Sequence, residues 1–249
     1  MKRAAAMALL VLAFATAGAR PAGAAAAPAS GIPVLMYHKV DRHVPADATG
    51  RSLTLDPAEF AAQLAWLRAH HIRTLTMNEA ADELARGRVP RDAVVLTFDD
   101  GYRDAAEVVL PLLRAYGARA SFYVSAGFVG DPRHATWAQL RTMRAAGMEV
   151  GCHGTRHLDL SKLSPAAARR EIGTCVAMLG RYLARPTTYA YAAGRWNAAT
   201  PAIVRAAGLR LALTERPGVV RSLASPYTLP RRRIARGVGL AGFAALATP

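Results

Sequence analysis

Short apolar runs alternate with amphipathic stretches along most of the chain. A short, unbroken apolar run bounded by turn residues is typical of a strand buried on both faces of a parallel sheet. By this criterion six runs are predicted to be strands: Ile32–Tyr37, Ala93–Phe98, Arg119–Val124, Met148–Cys152, Thr188–Ala192 and Leu209–Leu213.

Helix start signals fall between these runs. Asp56 followed by Pro57 is one, because Asp caps the free N–H groups of a first turn and Pro fits its first position. Further starts are predicted at Thr76, Asp104, Thr136, Ser164 and Thr200. We expect a bend at Pro111, and an irregular chain after Arg216 with one short helix near Leu240–Leu246. This alternation predicts an α/β fold with a parallel sheet or barrel.

The N-terminus has the pattern of a secretory signal peptide over residues 1–24. Two basic residues precede an apolar segment, Ala4–Ala17, and the small residues Ala22–Ala24 form a cleavage site. An uncleaved anchor is the alternative, but the apolar run is short for a bilayer span of roughly 20 residues. We predict a linker over 25–31, one domain over 32–249, and a periplasmic or secreted protein with no stable membrane span after cleavage.

The chain is strongly basic, with a formal net charge of +15 carried almost entirely by arginine. Such a charge can serve nucleic acid or an anionic cell surface. The arginines are scattered, however, and Arg231–Arg233 is the one tight run. We therefore predict a solvated basic surface and no nucleic-acid partner, with an envelope protein that binds an anionic polymer as the alternative.

Cys152 and Cys175 are the two cysteines. An oxidising compartment permits a disulfide, but their spacing cannot reveal whether they meet, and two small buried residues are the simpler interpretation. Cys152 precedes His153 directly. Because neighbouring side chains of a strand point to opposite faces, we do not expect both to reach one metal ion.

Two polar clusters follow apolar runs. Thr97–Gly101 contains the adjacent carboxylates of Asp99 and Asp100, and His153–His157 carries a histidine at each end. Taken singly, Asp-Gly is a common turn signal and histidines are common on surfaces. Taken together, two imidazoles and one carboxylate form a ligand set for a divalent metal and leave the second carboxylate as a base. The pattern predicts metal-assisted hydrolysis.

These two clusters resemble the first two signatures of the polysaccharide deacetylases, the carbohydrate esterase family 4 or NodB-homology domain. The resemblance extends from about Pro33 to Ile234. It implies a distorted (β/α) barrel of about seven parallel strands. It also implies a divalent metal, with Zn²⁺ preferred over Co²⁺ or Ni²⁺, held by Asp100, His153 and His157, with Asp99 as the catalytic base.

The third signature of the family is eroded in Tyr189–Gly194. Ala190 stands where the family has an arginine that orients the base. The backbone N–H of Ala193 can still serve as the oxyanion donor, and Arg195 is a candidate to orient Asp99 instead. A catalytically weak glycan-binding relative is therefore an alternative to an active enzyme.

The family's usual C-terminal general acid is a histidine, but none follows His157. One subgroup, the poly-β-1,6-N-acetylglucosamine deacetylases, takes this histidine from the first strand, and the segment Val34–His38 is similar to that arrangement. His38 is therefore the predicted general acid, with a core or capping histidine as the alternative. Three residues are predicted to contact substrate: Tyr37, Trp196 and Arg195.

The resulting hypothesis is an exported, metal-dependent hydrolase that removes N-acetyl groups from an N-acetylglucosamine polymer. The expected partner is an acetylated amino-sugar polysaccharide, with poly-β-1,6-N-acetylglucosamine favoured by the first-strand histidine. Chitin-like chains, peptidoglycan and O-acetylated xylan-type chains are the alternative substrates. The sequence makes no prediction of oligomeric state.

Overall fold

The computed structural model describes residues 31–249, so the predicted signal peptide and all but the last residue of the predicted linker lie outside the described part of the chain. The strands are β1 Ile32–Tyr37, β2 Lys39–Val40, β3 Thr54–Leu55, β4 Arg73–Leu75, β5 Ala93–Phe98, β6 Ser121–Val124, β7 Glu149–Cys152, β8 Thr188–Ala190, β9 Leu211–Pro217, β10 Val219–Val220 and β11 Leu229–Arg233. The helices are α1 Ala48–Leu53, α2 Pro57–Ala69, α3 Met77–Ala85, α4 Leu110–Tyr116, α5 Trp137–Ala145, α6 Pro165–Tyr182, α7 Thr200–Ala206 and α8 Gly239–Ala247.

Seven parallel strands close into a barrel. Their order around the barrel is β1, β5, β6, β7, β8, β9 and β11, and β11 pairs with β1 to complete the ring. The short strand β4 pairs with β5 and β10 pairs antiparallel with β1, while β2 and β3 form a separate parallel pair. The predicted barrel of about seven parallel strands is confirmed.

The six predicted strands all form, but the prediction of an irregular tail after Arg216 is wrong. Strand β9 continues to Pro217, and β11 supplies the seventh barrel strand. In β11 the buried positions alternate and include Leu229 and Arg231, so a polar residue occupies a core position and hides the strand pattern. The predicted helix near the C-terminus is α8.

Four of the six predicted helix starts have side-chain caps. Thr76 and Thr136 each form a capping box with the Glu or Gln three residues on, and Asp56 and Ser164 accept N–H groups of their first turns. A π-helical segment, Ala105–Val109, leads into α4, which contains Pro111. The bend expected at Pro111 stays a prediction. No helix within residues 31–249 is both long and apolar enough to cross a bilayer.

Buried apolar side chains divide between the two surfaces of the barrel wall. Interior positions such as Val34 and Val95 contact one another and α3. The alternate positions, such as Leu35 and Leu96, face outward and pack against the surrounding helices.

Cys152 and Cys175 form a disulfide with a Cα–Cα distance of 6.2 Å, so the interpretation as two unpaired buried residues is wrong. The bond joins the outer face of β7 to α6. The side chain of Cys152 therefore points away from that of His153, as strand alternation predicts.

Candidate metal and acid–base site

The predicted site residues gather where the barrel strands end. His38 follows β1, Asp99 follows β5, and His153 follows β7. In the register of the first pair Tyr37 lies opposite Phe98, and the N–H of Asp99 donates to the Tyr37 carbonyl at 3.0 Å. His38 and Asp99 therefore lie next to each other on adjacent strands, as expected for the carboxyl ends of parallel strands.

The carboxylate of Asp99 is held by a fully buried arginine. Arg231 donates from Nη1 to Oδ1 at 2.8 Å and from Nη2 to Oδ2 at 2.7 Å, and both side chains are at most 1% exposed. Arg231 also donates from Nε to the Thr214 carbonyl at 2.9 Å and from Nη1 to Thr97 Oγ1 at 3.2 Å. The bidentate contact between Arg231 and Asp99 fixes the plane of the carboxylate.

Arg231 is the functional residue that the sequence analysis missed. It was assigned to a solvated arginine run, and Arg195 was the candidate partner for Asp99. Arg195 is exposed, whereas Arg231 reaches the carboxylate from strand β11. The available signal was indirect: a barrel of seven strands needs one more than the six apolar runs supply.

Burial alone would raise the pKa of Asp99, but its neighbours, led by the positive charge of Arg231, outweigh burial, and the pKa falls below its ordinary value. Asp99 is therefore ionised at neutral pH, which a base requires.

The second carboxylate faces imidazoles instead of an arginine. Asp100 Oδ1 lies 3.3 Å from Nε2 of His153 and 3.2 Å from Nε2 of His157. Neither approach has hydrogen-bond geometry, so Oδ1 is buried without a hydrogen-bond partner among residues 31–249. The three potential ligand atoms all lie within 4.8 Å of one another.

This arrangement fits a divalent metal. His153 Nδ1 contacts the Ala190 carbonyl at 2.8 Å, which assigns its proton to Nδ1 and leaves the Nε2 lone pair directed at Asp100. A buried carboxylate oxygen without a donor is unfavourable unless a cation satisfies it. One carboxylate and two imidazoles on one side of an ion also leave positions for water and substrate.

A buried glutamate on α6 fastens the loop that carries both histidines. Glu171 Oε1 accepts the N–H of Thr155 at 2.9 Å and that of Arg156 at 2.6 Å, while its backbone carbonyl accepts the Thr155 hydroxyl at 2.8 Å. The Cys152–Cys175 bond ties the same helix to the strand that precedes the loop. The loop geometry therefore depends on α6.

Left-handed backbone conformations concentrate at the site. Within residues 31–249, four non-glycine residues have positive φ, and three of them are predicted site residues: Asp100 (72°), His157 (57°) and Ala193 (48°). Such conformations are unfavourable for residues with a Cβ, and they persist where the surrounding structure imposes them.

His38 is nearly buried, and its Nδ1 has no hydrogen-bond partner. Burial lowers the pKa of His38, Asp99 and Asp100 partly restore it, and Arg231 and Arg233 lower it further. The neutral form is favoured, and the protonated form would be a strong proton donor.

The remaining predicted residues differ in their access to substrate. Ala193 is exposed after β8, and Trp196 is half-buried, with its ring centroid 6.3 Å from that of Tyr191. Tyr37 is 1% exposed on the outer face of the barrel, stacked on Phe98 with its hydroxyl donating to Gln63 Oε1. Its burial contradicts the prediction that Tyr37 contacts substrate.

Comparisons with known proteins agree with this geometry. The family model described as polysaccharide deacetylase matches residues 86–212. YxkH of Bacillus subtilis, which is named for that family, is 30% identical over 216 residues, covering 86% of this chain and 75% of YxkH.

More distant similarity extends the comparison to a named activity and to a solved structure. The poly-β-1,6-N-acetyl-D-glucosamine N-deacetylase of Staphylococcus aureus is 23% identical over 196 residues, covering 73% of this chain and 68% of that enzyme. The Streptococcus pyogenes deacetylase PplD, solved in complex with acetate, superposes with a TM-score of 0.83 at 28% identity, covering 89% of this chain and all of PplD.

Proposed function

The chain belongs to the polysaccharide deacetylase family, and on that premise we propose that it is an exported, metal-dependent N-deacetylase of an N-acetylglucosamine polymer. The observation that carries the proposal is the difference in surroundings between the two adjacent carboxylates at the end of β5. Asp99 is held ionised by Arg231, while Asp100 converges with His153 and His157 on a space of metal-site dimensions.

Asp100, His153 and His157 would hold the metal, with Zn²⁺ as the first choice and Co²⁺ or Ni²⁺ as alternatives. A bound divalent cation supplies Lewis-acid activation of the amide carbonyl and of the attacking water.

Asp99 would take the proton of the attacking water, since its carboxylate is ionised and immobilised by Arg231. The exposed N–H of Ala193 would donate to the oxyanion that develops on the carbonyl oxygen. His38 would deliver a proton to the departing amine, and Trp196 and Arg195 would contact the glycan. The products are acetate and a free amino sugar.

We favour a β-1,6-linked polymer because His38 follows the first strand and because the Staphylococcus aureus relative is named for that substrate. Chitin-like chains, peptidoglycan and O-acetylated xylan-type chains are the competing substrates. The PplD structure contains acetate, the product expected from any of them.

A glycan-binding relative without activity is the second candidate, and the eroded third signature favours it. Ala190 leaves no arginine at that position. Arg231 supports the enzyme instead, because a protein that only binds glycan has no use for an oriented, ionised base.

The test is acetate release from β-1,6- and β-1,4-linked N-acetylglucosamine oligomers by chelator-treated protein, with and without added Zn²⁺ or Co²⁺. We expect release that depends on metal and is faster on the β-1,6 linkage. Metal binding without acetate release on either oligomer would exclude these two polymers and favour peptidoglycan, the ester substrates or the binding-only relative.

The role of His38 needs its own variant. His38→Ala should lower turnover by about 10²- to 10⁴-fold, the usual contribution of a general acid, and leave the metal content unchanged. Normal turnover in this variant would exclude His38 as the proton donor.

A further inference from the structure

We propose that the cavity beside the candidate metal residues is a subsite for an anionic group, so that the preferred substrate is a glycan carrying carboxylate or phosphate next to the N-acetylated sugar. This inference rests on the proposed function and adds the charge class of the substrate: it favours an N-acetylglucosamine chain with anionic substituents over the unsubstituted β-1,6-linked homopolymer. The cavity has a volume of 290 Å³ and opens onto Asp100 and His157. Its other lining residues are Tyr102, Phe128, Arg133, His134 and Arg156.

One wall of this cavity is aromatic. The His134 ring lies between Tyr102, with centroids 5.3 Å apart and planes 18° apart, and Phe128, at 5.2 Å and 39°. His134 is fixed by a 3.3 Å contact from Nδ1 to Asp131 Oδ1 and by a backbone bridge to Tyr102. Rigid aromatic faces of this kind suit the apolar face of a sugar ring.

Two guanidinium groups flank the aromatic wall. The side chains of Arg133 and Arg156 are 83% and 72% exposed, and within residues 31–249 neither guanidinium takes part in a hydrogen bond. Their nearest carboxylate oxygens, on Asp131 and Glu171, lie 3.8 and 3.9 Å away, beyond hydrogen-bond distance.

Each of those two carboxylates also accepts hydrogen bonds from backbone N–H groups. Asp131 Oδ1 accepts the backbone N–H of Arg133 at 2.9 Å, and Glu171 Oε1 accepts two backbone N–H groups of the histidine loop. The donors of Arg133 and Arg156 are consequently available to a ligand. Guanidinium forks bind carboxylate and phosphate through paired hydrogen bonds, whereas a neutral sugar offers no countercharge.

The test compares neutral N-acetylglucosamine oligomers with the same oligomers carrying either a uronate or a phosphate ester on the neighbouring sugar. For the Zn²⁺-loaded protein, kcat/KM is measured for each. Affinity for the same oligomers is measured separately with chelator-treated protein, which should not turn them over, in low and in high salt. The uronate and phosphate arms identify which anion the cavity takes.

We expect the wild type to prefer one anionic oligomer in both measurements, and high salt to reduce the preference because it screens exposed charges. Arg133→Gln and Arg156→Gln should each lower the preference about five-fold, the upper range for an exposed ion pair. The control, Arg91→Gln, removes the same charge from an exposed position before β5, at the opposite end of the barrel, and should have no effect.

Equal affinity and equal kcat/KM for neutral and anionic oligomers would overturn the subsite while leaving the deacetylase intact. An effect of Arg91→Gln as large as that of Arg133→Gln would also overturn it, because the preference would then come from the overall charge. Preferential binding of the anionic oligomer without acetate release from any substrate would support the subsite and refute the deacetylase.

Discussion

Asp99 and Asp100 are neighbours in the chain, yet their carboxylates lie in opposite surroundings. Both oxygens of Asp99 accept hydrogen bonds from Arg231, deep in the barrel. Oδ1 of Asp100 faces two imidazole nitrogens and accepts no hydrogen bond. The Asp99 side of the site, the base side, is satisfied by the protein's own groups, whereas the Asp100 side, the metal side, has the arrangement of a cation site.

A single backbone feature separates the two surroundings. Asp99 continues the extended path of β5, so its side chain enters the barrel beside Arg231, and Asp100 then adopts φ 72°. This left-handed turn directs the second carboxylate toward His153 and His157. Two adjacent carboxylates can thus avoid sharing one cation, and each takes a separate role.

The largest expected effect comes from removing the charge on the base side. Asp99→Asn should lower acetate release by about 10²- to 10⁴-fold, because the base is lost. It should also destabilise the fold by about 3 kcal/mol, because Arg231 stays buried without its anion. Metal content, measured by elemental analysis, should equal that of the wild type. Unchanged turnover would show that Asp99 is not the base.

The second substitution on this side removes the arginine that pairs with Asp99. Arg231→Met should lower the free energy of unfolding by about 3–5 kcal/mol, since it leaves Asp99 buried without a countercharge. Urea unfolding measures this loss. With Arg231 present the lowered pKa of Asp99 stabilises the fold above its ordinary pKa, and that contribution disappears as pH falls through the lowered pKa. Without Arg231, burial alone raises the pKa, so the deficit of the variant should grow with pH.

A double variant provides the control for this pair. Asp99→Asn combined with Arg231→Met removes both charges and should be more stable than the sum of the two single losses predicts. Additive losses would mean that the two side chains are not coupled, and the contrast between the two sides would lose its basis.

The pair of Asp99 and Arg231 also shows how much of the site the sequence predicts. The six apolar strands and the motif residues Asp99, Asp100, His153 and His157 were predictable, because their signals are local. Arg231 lies 132 residues from Asp99 in the chain, in a strand whose pattern it disrupts. Only the closure of the barrel brings β11 beside β1, and the pairing of Cys152 with Cys175 likewise depends on where α6 packs.

A third carboxylate after β5 sharpens the comparison, since it is buried without either kind of partner. Asp104 accepts the N–H of Val40 at 2.6 Å, and burial raises its pKa from 3.8 to about 6 despite the nearby charge of Lys39. The folded state therefore binds this proton more tightly than the unfolded state, and stability falls as pH rises from about 4 to about 6. Asp104→Asn should remove that loss and exceed the wild type by about 3 kcal/mol at pH 7. Parallel stability curves for the two proteins between pH 4 and 7 would contradict the assignment.

The smallest effect is expected at the support of the metal side. Glu171→Gln keeps the shape of the side chain but weakens its charge-assisted bonds to the N–H groups of Thr155 and Arg156. The loop between His153 and His157 should then hold its ligands less firmly, and metal affinity should fall about tenfold, as is common for residues that orient ligands. Competition with a chromophoric chelator measures this affinity.

The matched control for this change is Glu107→Gln, which removes one carboxylate charge from an exposed helical position. It should leave metal affinity unchanged, so a fall restricted to Glu171→Gln separates loop support from overall charge. Glu171→Gln should lose little stability, because the Cys152–Cys175 bond still ties α6 to β7. Glu107→Gln should lose little because its side chain is exposed. Wild-type metal affinity in Glu171→Gln would mean that the left-handed turns of the loop hold the histidines in place without the glutamate, and the metal side would then be as self-sufficient as the base side.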